Sequence, residues 1–257
     1  MTRVIALLQA RDEQRFLPGW LENVAPAVDG IVALDDGSED ATADLLAAHP
    51  KMLQLMRNPP GQPWNERANH MALIKAGRQL AADWFLCLDA DERLEKAFYT
   101  DLAGILDDAD RRGVEAFTLR LRELWNDRRH YRTDGVWGRK ARHRLFRNDP
   151  RHSRFDPRPL HRHWMPLEIV TRLPTVGAAL PHNLYHLRMI LPQDRAARHR
   201  RYLALDPGNR FQPEGYDYLV DETGIELASV TEERDFLPAW ESALPDEDSL
   251  GNMGSVR

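Results

Sequence analysis

Over its first half the chain alternates between two hydrophobic periods. Residues 4–8 (VIALL) are an unbroken apolar run, which predicts a strand buried on both faces. Phe16, Leu17, Trp20, Leu21 and Val24 then recur at helical spacing. Residues 30–34 predict a second strand, closed by Asp35-Asp36-Gly37-Ser38. A short helix over 41–48 and a third strand over 52–56 follow. Residues 65–82 predict a longer helix with Ala68, Met71, Ala72, Ile74, Leu80 and Ala81 on one side. A fourth strand over 84–88 ends in Asp89-Ala90-Asp91-Glu92. A helix over 94–110 and a strand over 114–124 complete the series. Strand–helix alternation of this kind predicts an α/β fold with a mixed, mainly parallel sheet flanked by helices on both faces.

Beyond residue 125 the pattern weakens. Residues 126–163 are rich in Arg, His, Asp and Pro, with one short strand expected over 144–147. Residues 192–205 predict a helix opening on Pro192. After Pro213 the chain turns acidic, with short hydrophobic islands, and its last dozen residues have a disordered composition. The pentapeptide FLPGW at 16–20 returns as FLPAW at 236–240, either by coincidence or as a second, similarly docked helix start.

Charge sharpens this division. The 257 residues carry a formal net charge of −5. Residues 120–163 hold fourteen Arg/Lys against five Asp/Glu, whereas residues 214–248 hold twelve acids and one base. The acidic segment is therefore expected to cover or tether the basic one. Only four cations are Lys (Lys51, Lys75, Lys96 and Lys140) and the rest are Arg, whose rigid fork suits phosphate and carboxylate. No apolar run is long enough to cross a membrane, and the N-terminal apolar stretch is followed at once by charges. The lone Cys87 excludes a disulfide framework and a thiolate zinc site. These features lead to the expectation of a cytoplasmic protein, with peripheral contact at the inner face of a membrane left open.

Candidate chemistry sits at the strand ends. Open α/β sheets bind ligands at the carboxyl edge of their parallel strands. Two acidic clusters are expected there, one around Asp35 and Asp36 and one around Asp89 and Asp91. Two carboxylates in Asp-X-Asp can converge on a hard cation, and Mg²⁺ or Mn²⁺ bound in this way shares its shell with substrate phosphates. Taken singly, each cluster also suits a solvated loop with helix caps.

Four segments in order resemble family 2 glycosyltransferases of the GT-A fold: VIALLQARDEQRFLPGWL, IVALDDGSEDAT, the helix around NERANHMALIKAG, and WFLCLDADERL. They span roughly residues 3–95. The resemblance implies a glycosyltransferase domain over 1–212, with a nucleotide-binding half (1–125), an acceptor-side half (126–212) and an acidic extension (213–257). It implies metal-dependent transfer of a sugar from a nucleotide-diphosphate donor, with UDP favoured, and inversion at the anomeric carbon. Ala10 and Arg11 would lie beside the base, and Asp35 or Asp36 would bond to base or ribose. Arg67 would lie near the phosphates. Asp89 would serve ribose and metal, and Asp91 would ligate Mn²⁺ or Mg²⁺ directly.

The second half has a fainter likeness to the branch containing lipopolysaccharide-core glucosyltransferases. It is carried by Arg144-Leu145-Phe146-Arg147, Phe155, Leu160-His161 and the segment LYHLRMILPQDRAARHRRYLAL. His186 thereby becomes a third metal ligand or a diphosphate contact, with Arg198, Arg201 and Tyr202 near the phosphates. Arg162 stands where that branch has a Glu that is a candidate base. The base candidates left are His161, His163, Asp134 and Glu168. The acceptor is open, with an anionic or lipid-linked one suggested by the Arg content, and a homo-oligomer is compatible.

Other classes fit less well. A haloacid-dehalogenase-like phosphatase would carry Asp-X-Asp in its first strand, and a nucleotidyltransferase would carry a Gly-rich phosphate loop that is missing. Binding of nucleic acid or an anionic surface by the Arg/His stretch, using Trp125, Tyr131, Trp137, Phe146 and Phe155 for stacking, is the non-enzymatic alternative, beside a glycosyltransferase homologue that has lost activity.

Overall fold

The computed structural model describes residues 2–158 and 163–238. Its strands are β1 (Val4–Ala10), β2 (Gly30–Asp35), β3 (Met52–Arg57), β4 (Trp84–Cys87), β5 (Glu92–Leu94), β6 (Ala116–Glu123), β7 (His130–Arg132), β8 (Ala141–Arg147), β9 (Gly177–His186) and β10 (Leu227–Ser229). Its helices are α1 (Leu17–Val24), α2 (Thr42–Ala48), α3 (Glu66–Gln79), α4 (Ala97–Arg112), α5 (Leu167–Val170), α6 (Leu173–Val176) and α7 (Pro192–Leu205).

Eight strands form one mixed sheet in the order β3-β2-β1-β4-β8-β6-β9-β5. The pairings β3/β2, β2/β1, β1/β4 and β6/β9 are parallel, and β4/β8, β8/β6 and β9/β5 are antiparallel. The parallel strands carry apolar side chains on both faces because helices cover both. In β1, Val4, Ala6 and Leu8 enter one core with Trp20 of α1 and Phe98 of α4. Ile5 and Leu7 enter the opposite core with Leu73 and Ile74 of α3. Asn65 caps α3 by accepting the amide of Ala68 at 3.0 Å, and Gly113 ends α4 in the left-handed conformation.

The first half follows the hydrophobic pattern, with one exception. The helix expected over 94–110 begins at Ala97, because Glu92–Leu94 pairs as β5 with β9. In the second half, β9 is the element that the pattern hides, since Pro181, His182 and Asn183 interrupt its apolar run. It nonetheless lies between β6 and β5, where its polar groups are paired. His182 Nε2 is 2.9 Å from Asp101, and the amide of Asn183 donates to Glu95 at 2.8 Å.

Residues 214–238 pack against this body. β10 pairs with β7, and Tyr216 and Leu219 join Trp125, Trp137 and Met189 in a separate apolar cluster. Phe236 bridges Glu95 and is fully buried in the main core, so the second FLPxW copy reaches the core through an isolated bridge. Acidic and basic segments do meet: Asp235 lies 3.4 Å from Arg128, and Arg132 donates to the carbonyl of Asp221 at 2.8 Å. The final twelve residues lie outside the described residues.

Candidate active site

A cleft of about 630 Å³ opens where the ends of β1 and β4 face β6, β8, β9 and α7. Its floor is a chain of alternating charges. The Arg188 guanidinium bridges Glu13 and Asp91, and its Nε lies 2.5 Å from Asp91 Oδ2. His186 Nε2 faces the same Asp91 oxygen at 3.2 Å, and its Nδ1 is bonded to Glu123. Lys140 donates to the other Glu123 oxygen at 2.9 Å. Beside this chain Arg144 ties Asp89 at 2.6 Å to Glu92 at 2.5 Å. Strand register explains the convergence, because His186 pairs with Glu123 of β6 on one side and Glu92 of β5 on the other.

Burial and charge set the ionisation of these groups. Burial opposes ionisation of Asp91, but His186 and Arg188 outweigh it and hold the carboxyl well below the usual range. Burial likewise opposes Glu123, which Lys140 and His186 hold low. Burial lifts Glu13 to about 7 despite Arg188, and lifts Glu92 to about 7 despite Arg144. For His186, burial disfavours the charged ring, yet Glu123 and Asp91 raise it from 6.5 to about 9. A raised histidine stabilises the fold fully below its unfolded value of 6.5, and that stabilisation is lost as pH climbs through about 9. The shift corresponds to about 3 kcal/mol. Denaturant titrations of the metal-free protein should therefore lose about that much stability between pH 6.5 and 10. His186→Gln should flatten this dependence, and a profile equally steep in the variant would reject the assignment.

The residues singled out from sequence divide into three groups. Asp89, Asp91, His186, His163, Arg198, Arg201 and Tyr202 all line the cleft. Ala10, Arg11, Asp35 and Asp36 sit together at the ends of β1 and β2 and do not line it. Asp36 is fully buried, accepts Asn58 at 2.6 Å, and lies 3.2 Å from Arg11. Arg11 also donates to the carbonyl of Gln62 at 2.9 Å and lies 5.6 Å from the centroid of the Trp64 ring, which lines the cleft. Arg67 is exposed on the first turn of α3 and does not line the cleft.

Asp134 and Glu168 also stand apart from it. Asp134 is bonded to Arg132 at 2.7 Å, which holds its carboxyl below the usual value. Burial opposes ionisation of Glu168, but its own amide and those of Ser153 and Arg154 hold it at about 2. Neither is placed to take a proton in the cleft. His161 lies outside the described residues. The pattern gave no sign of Glu13, Glu123, Lys140 or Arg188, and it marked Arg144 only through the family likeness. Glu123 and Arg144 would have required recognising β9 and the β4/β8 pairing.

The aromatic residues of the Arg/His stretch are mostly interior. Trp125, Trp137, Phe146 and Phe155 are buried, so they offer no platform for stacking bases.

A half-parallel sheet with an acidic strand-end motif, facing a basic second half across one cleft, defines a GT-A-type α/β domain. The family model "Glycosyl transferase family 2" matches residues 10–167. The chain belongs to that family.

Among curated relatives, an uncharacterized protein of Mycobacterium bovis is 29% identical over 221 residues, covering 81% of this chain and 52% of that protein. A TPR repeat-containing protein of Synechococcus elongatus is 31% identical over 161 residues, covering 63% of this chain and 35% of that one. The chain thus spans about half the length, or less, of these relatives. Among solved structures, TarS of S. aureus in complex with UDP shares 13% identity over 72% of this chain and 47% of that one, with a TM-score of 0.41. Glucosyl-3-phosphoglycerate synthase of Mycobacterium tuberculosis with Mn²⁺, UDP and glucosyl-3-phosphoglycerate shares 19% identity over 48% of this chain and 44% of that one, with a TM-score of 0.34.

Proposed function

We propose that this chain transfers a sugar from a nucleotide-diphosphate donor, UDP-linked by preference, to an acceptor hydroxyl with inversion. The observation that carries this reading is the Asp91–His186–Glu123 chain at the floor of the cleft, with Arg188 and Arg198 against it. We take residues 1–212 as the catalytic domain and 213–238 as a strap folded onto it.

The donor set suits Mn²⁺ or Mg²⁺. Among the described residues no three His, Cys, Asp or Glu side chains are arranged as a closed metal cage. An ion shared with a substrate diphosphate needs only one or two protein ligands. Asp91 Oδ2 and His186 Nε2 face each other at 3.2 Å, and an ion held by them would displace the proton that Asp91 and Glu123 favour on the ring. Asp91 and His186 would hold the ion, with Asp89 beside them. When bound, it would neutralise charge on the departing diphosphate.

The protein's own groups do the remaining work. Arg188 and Arg198 line the cleft beside Asp91 and present two guanidinium forks to the diphosphate. Arg144 fixes Asp89 and Glu92, which sets the shape of the strand end. Arg11 must swing away from Asp36 for a uracil imide to reach that carboxylate. Arg142 and Arg201 line the cleft as well, which suits an anionic or lipid-linked acceptor.

No helix among the described residues is long and apolar enough to cross a membrane. The first Arg of the segment Arg144-Leu145-Phe146-Arg147 holds Asp89 at 2.6 Å.

A screen of nucleotide-sugars tests the reading. UDP with Mn²⁺ is expected to raise the melting temperature, and at least one UDP-sugar should be hydrolysed slowly without acceptor. Failure of every nucleotide-sugar to bind or turn over would sink it.

A further inference from the structure

An inverting transfer needs a group that takes the acceptor's proton within hydrogen-bond reach. The carboxylates of the cleft other than Glu66 are poorly suited, because each lies against a cation. Glu13 is bonded to Arg188, and Asp89 and Glu92 share Arg144. Asp91 and Glu123 flank His186, and Asp194 meets Arg15 at 2.5 Å. Glu66 has His70 at 3.9 Å, and that ring is stacked 3.5 Å from Trp164. A proton accepted by any of the carboxylates paired with Arg or His186 would break an ion pair in a half-buried site.

Two imidazoles differ. His143 of β8 and His163 face each other across the cleft, with ring centroids 6.2 Å apart at 71°. Both are half-buried, and neither makes a hydrogen bond to another described residue.

Position separates the two. His143 lies on a strand, one residue before the Arg144 that holds Asp89 at 2.6 Å. Its backbone is therefore fixed relative to the strand end where the donor would sit. His163 precedes Trp164 and the fully buried Met165, and the Trp164–His70 stack anchors it.

We propose that His143 is the general base of the transfer and that His163 is its positioning partner. This rests on the glycosyltransferase reading above. A ring nitrogen of His143 takes the proton from the acceptor hydroxyl. The oxygen bonds to the anomeric carbon as the bond from that carbon to the diphosphate oxygen breaks. The bonding pair leaves with the nucleoside diphosphate, and His143 returns its proton to solvent through the cleft mouth. Its surroundings keep the base unprotonated at neutral pH. Burial, His163, Arg142 and Arg144 lower His143, while burial, Arg158 and Arg142 lower His163 against the opposing pull of Asp156.

The test uses water as acceptor, with UDP-glucose and UDP-N-acetylglucosamine as donors and Mn²⁺ present. His143→Gln is expected to lose about 10²- to 10⁴-fold in hydrolysis rate. The thermal shift given by UDP and Mn²⁺ should be unchanged. The acidic limb of the wild-type pH–rate profile, set by one group titrating below 6.5, should vanish. His143→Ala should recover part of its rate with added imidazole, and His163→Gln should lose less and move the limb. A His143→Gln variant with the wild-type rate and profile overturns the proposal, as does a Glu66→Gln variant that alone abolishes turnover. A wild type that turns over neither donor counts instead against the glycosyltransferase reading.

Discussion

Asp91→Asn should abolish donor turnover and remove the thermal stabilisation given by UDP with Mn²⁺. The substitution keeps the side-chain shape and deletes only the charge. That charge faces three cations, with Arg188 Nε at 2.5 Å, His186 Nε2 at 3.2 Å, and Arg198 3.3 Å from the same histidine nitrogen. Without it the cleft floor becomes strongly positive. An entering divalent cation then meets repulsion and a neutral amide in place of a carboxylate. A fall in turnover of at least about 10³-fold is expected, as for loss of a preorganised electrostatic contact at a reacting centre. Stability should fall too, because breaking a buried ion pair leaves uncompensated charge at a cost of about 3–5 kcal/mol. Glu13 still partners Arg188 and Glu123 still partners His186, so the lower end of that range applies. Calorimetry with and without UDP and Mn²⁺ reads both effects. A variant that retains the Mn²⁺-dependent UDP shift would show that Asp91 is not the metal's ligand.

Asp91 was legible in the sequence, but the groups that govern it were not. β1, β2 and β4 lie in a part of the sheet buried on both faces, so they read as apolar runs, with an acidic motif after β2 and after β4. β9 escapes because Pro181, His182 and Asn183 break its pattern. Its polar residues are satisfied by Asp101, Glu95 and Glu123, all more than sixty positions away along the chain. With β9 unread, nothing pointed to the register that sets Glu123 and Glu92 on either side of His186. His186 itself was found only through family resemblance. Asp134 and Glu168 were base candidates because they are acids in or beside an Arg-rich stretch. The structure uses both to tie local loops, with Asp134 on Arg132 and Glu168 on the amides of Ser153 and Arg154. Side-chain spacing cannot separate a loop tie from a base, because the two roles differ only in which element faces the cleft.

The acidic segment leads to the second large expectation, Phe236→Ala. Charge bookkeeping alone marks residues 213–257 as an appendage that neutralises the basic middle. Phe236 argues for more than that. Its ring is fully buried in the main core, 4.8 Å from the Tyr185 ring, and the Arg128 guanidinium lies 4.8 Å from its centroid. Polar contacts close around it: Tyr185 donates to the carbonyl of Arg234 at 2.6 Å, and Asn23 donates to that of Leu237 at 2.7 Å. Truncating a buried Phe to Ala removes the transfer term and leaves a cavity, for a loss of about 3–5 kcal/mol. A strap held by charge alone would behave differently. Its exposed pairs, such as Lys96–Asp235 at 3.8 Å, contribute about 1 kcal/mol or less and are screened by salt. Denaturant unfolding of Phe236→Ala at low and high ionic strength distinguishes the two cases. A loss of several kcal/mol that is the same at both salt concentrations places 213–238 within the folding unit. A loss under about 1 kcal/mol, paired with strong salt dependence of the wild type, would return the segment to the role of an electrostatic cover.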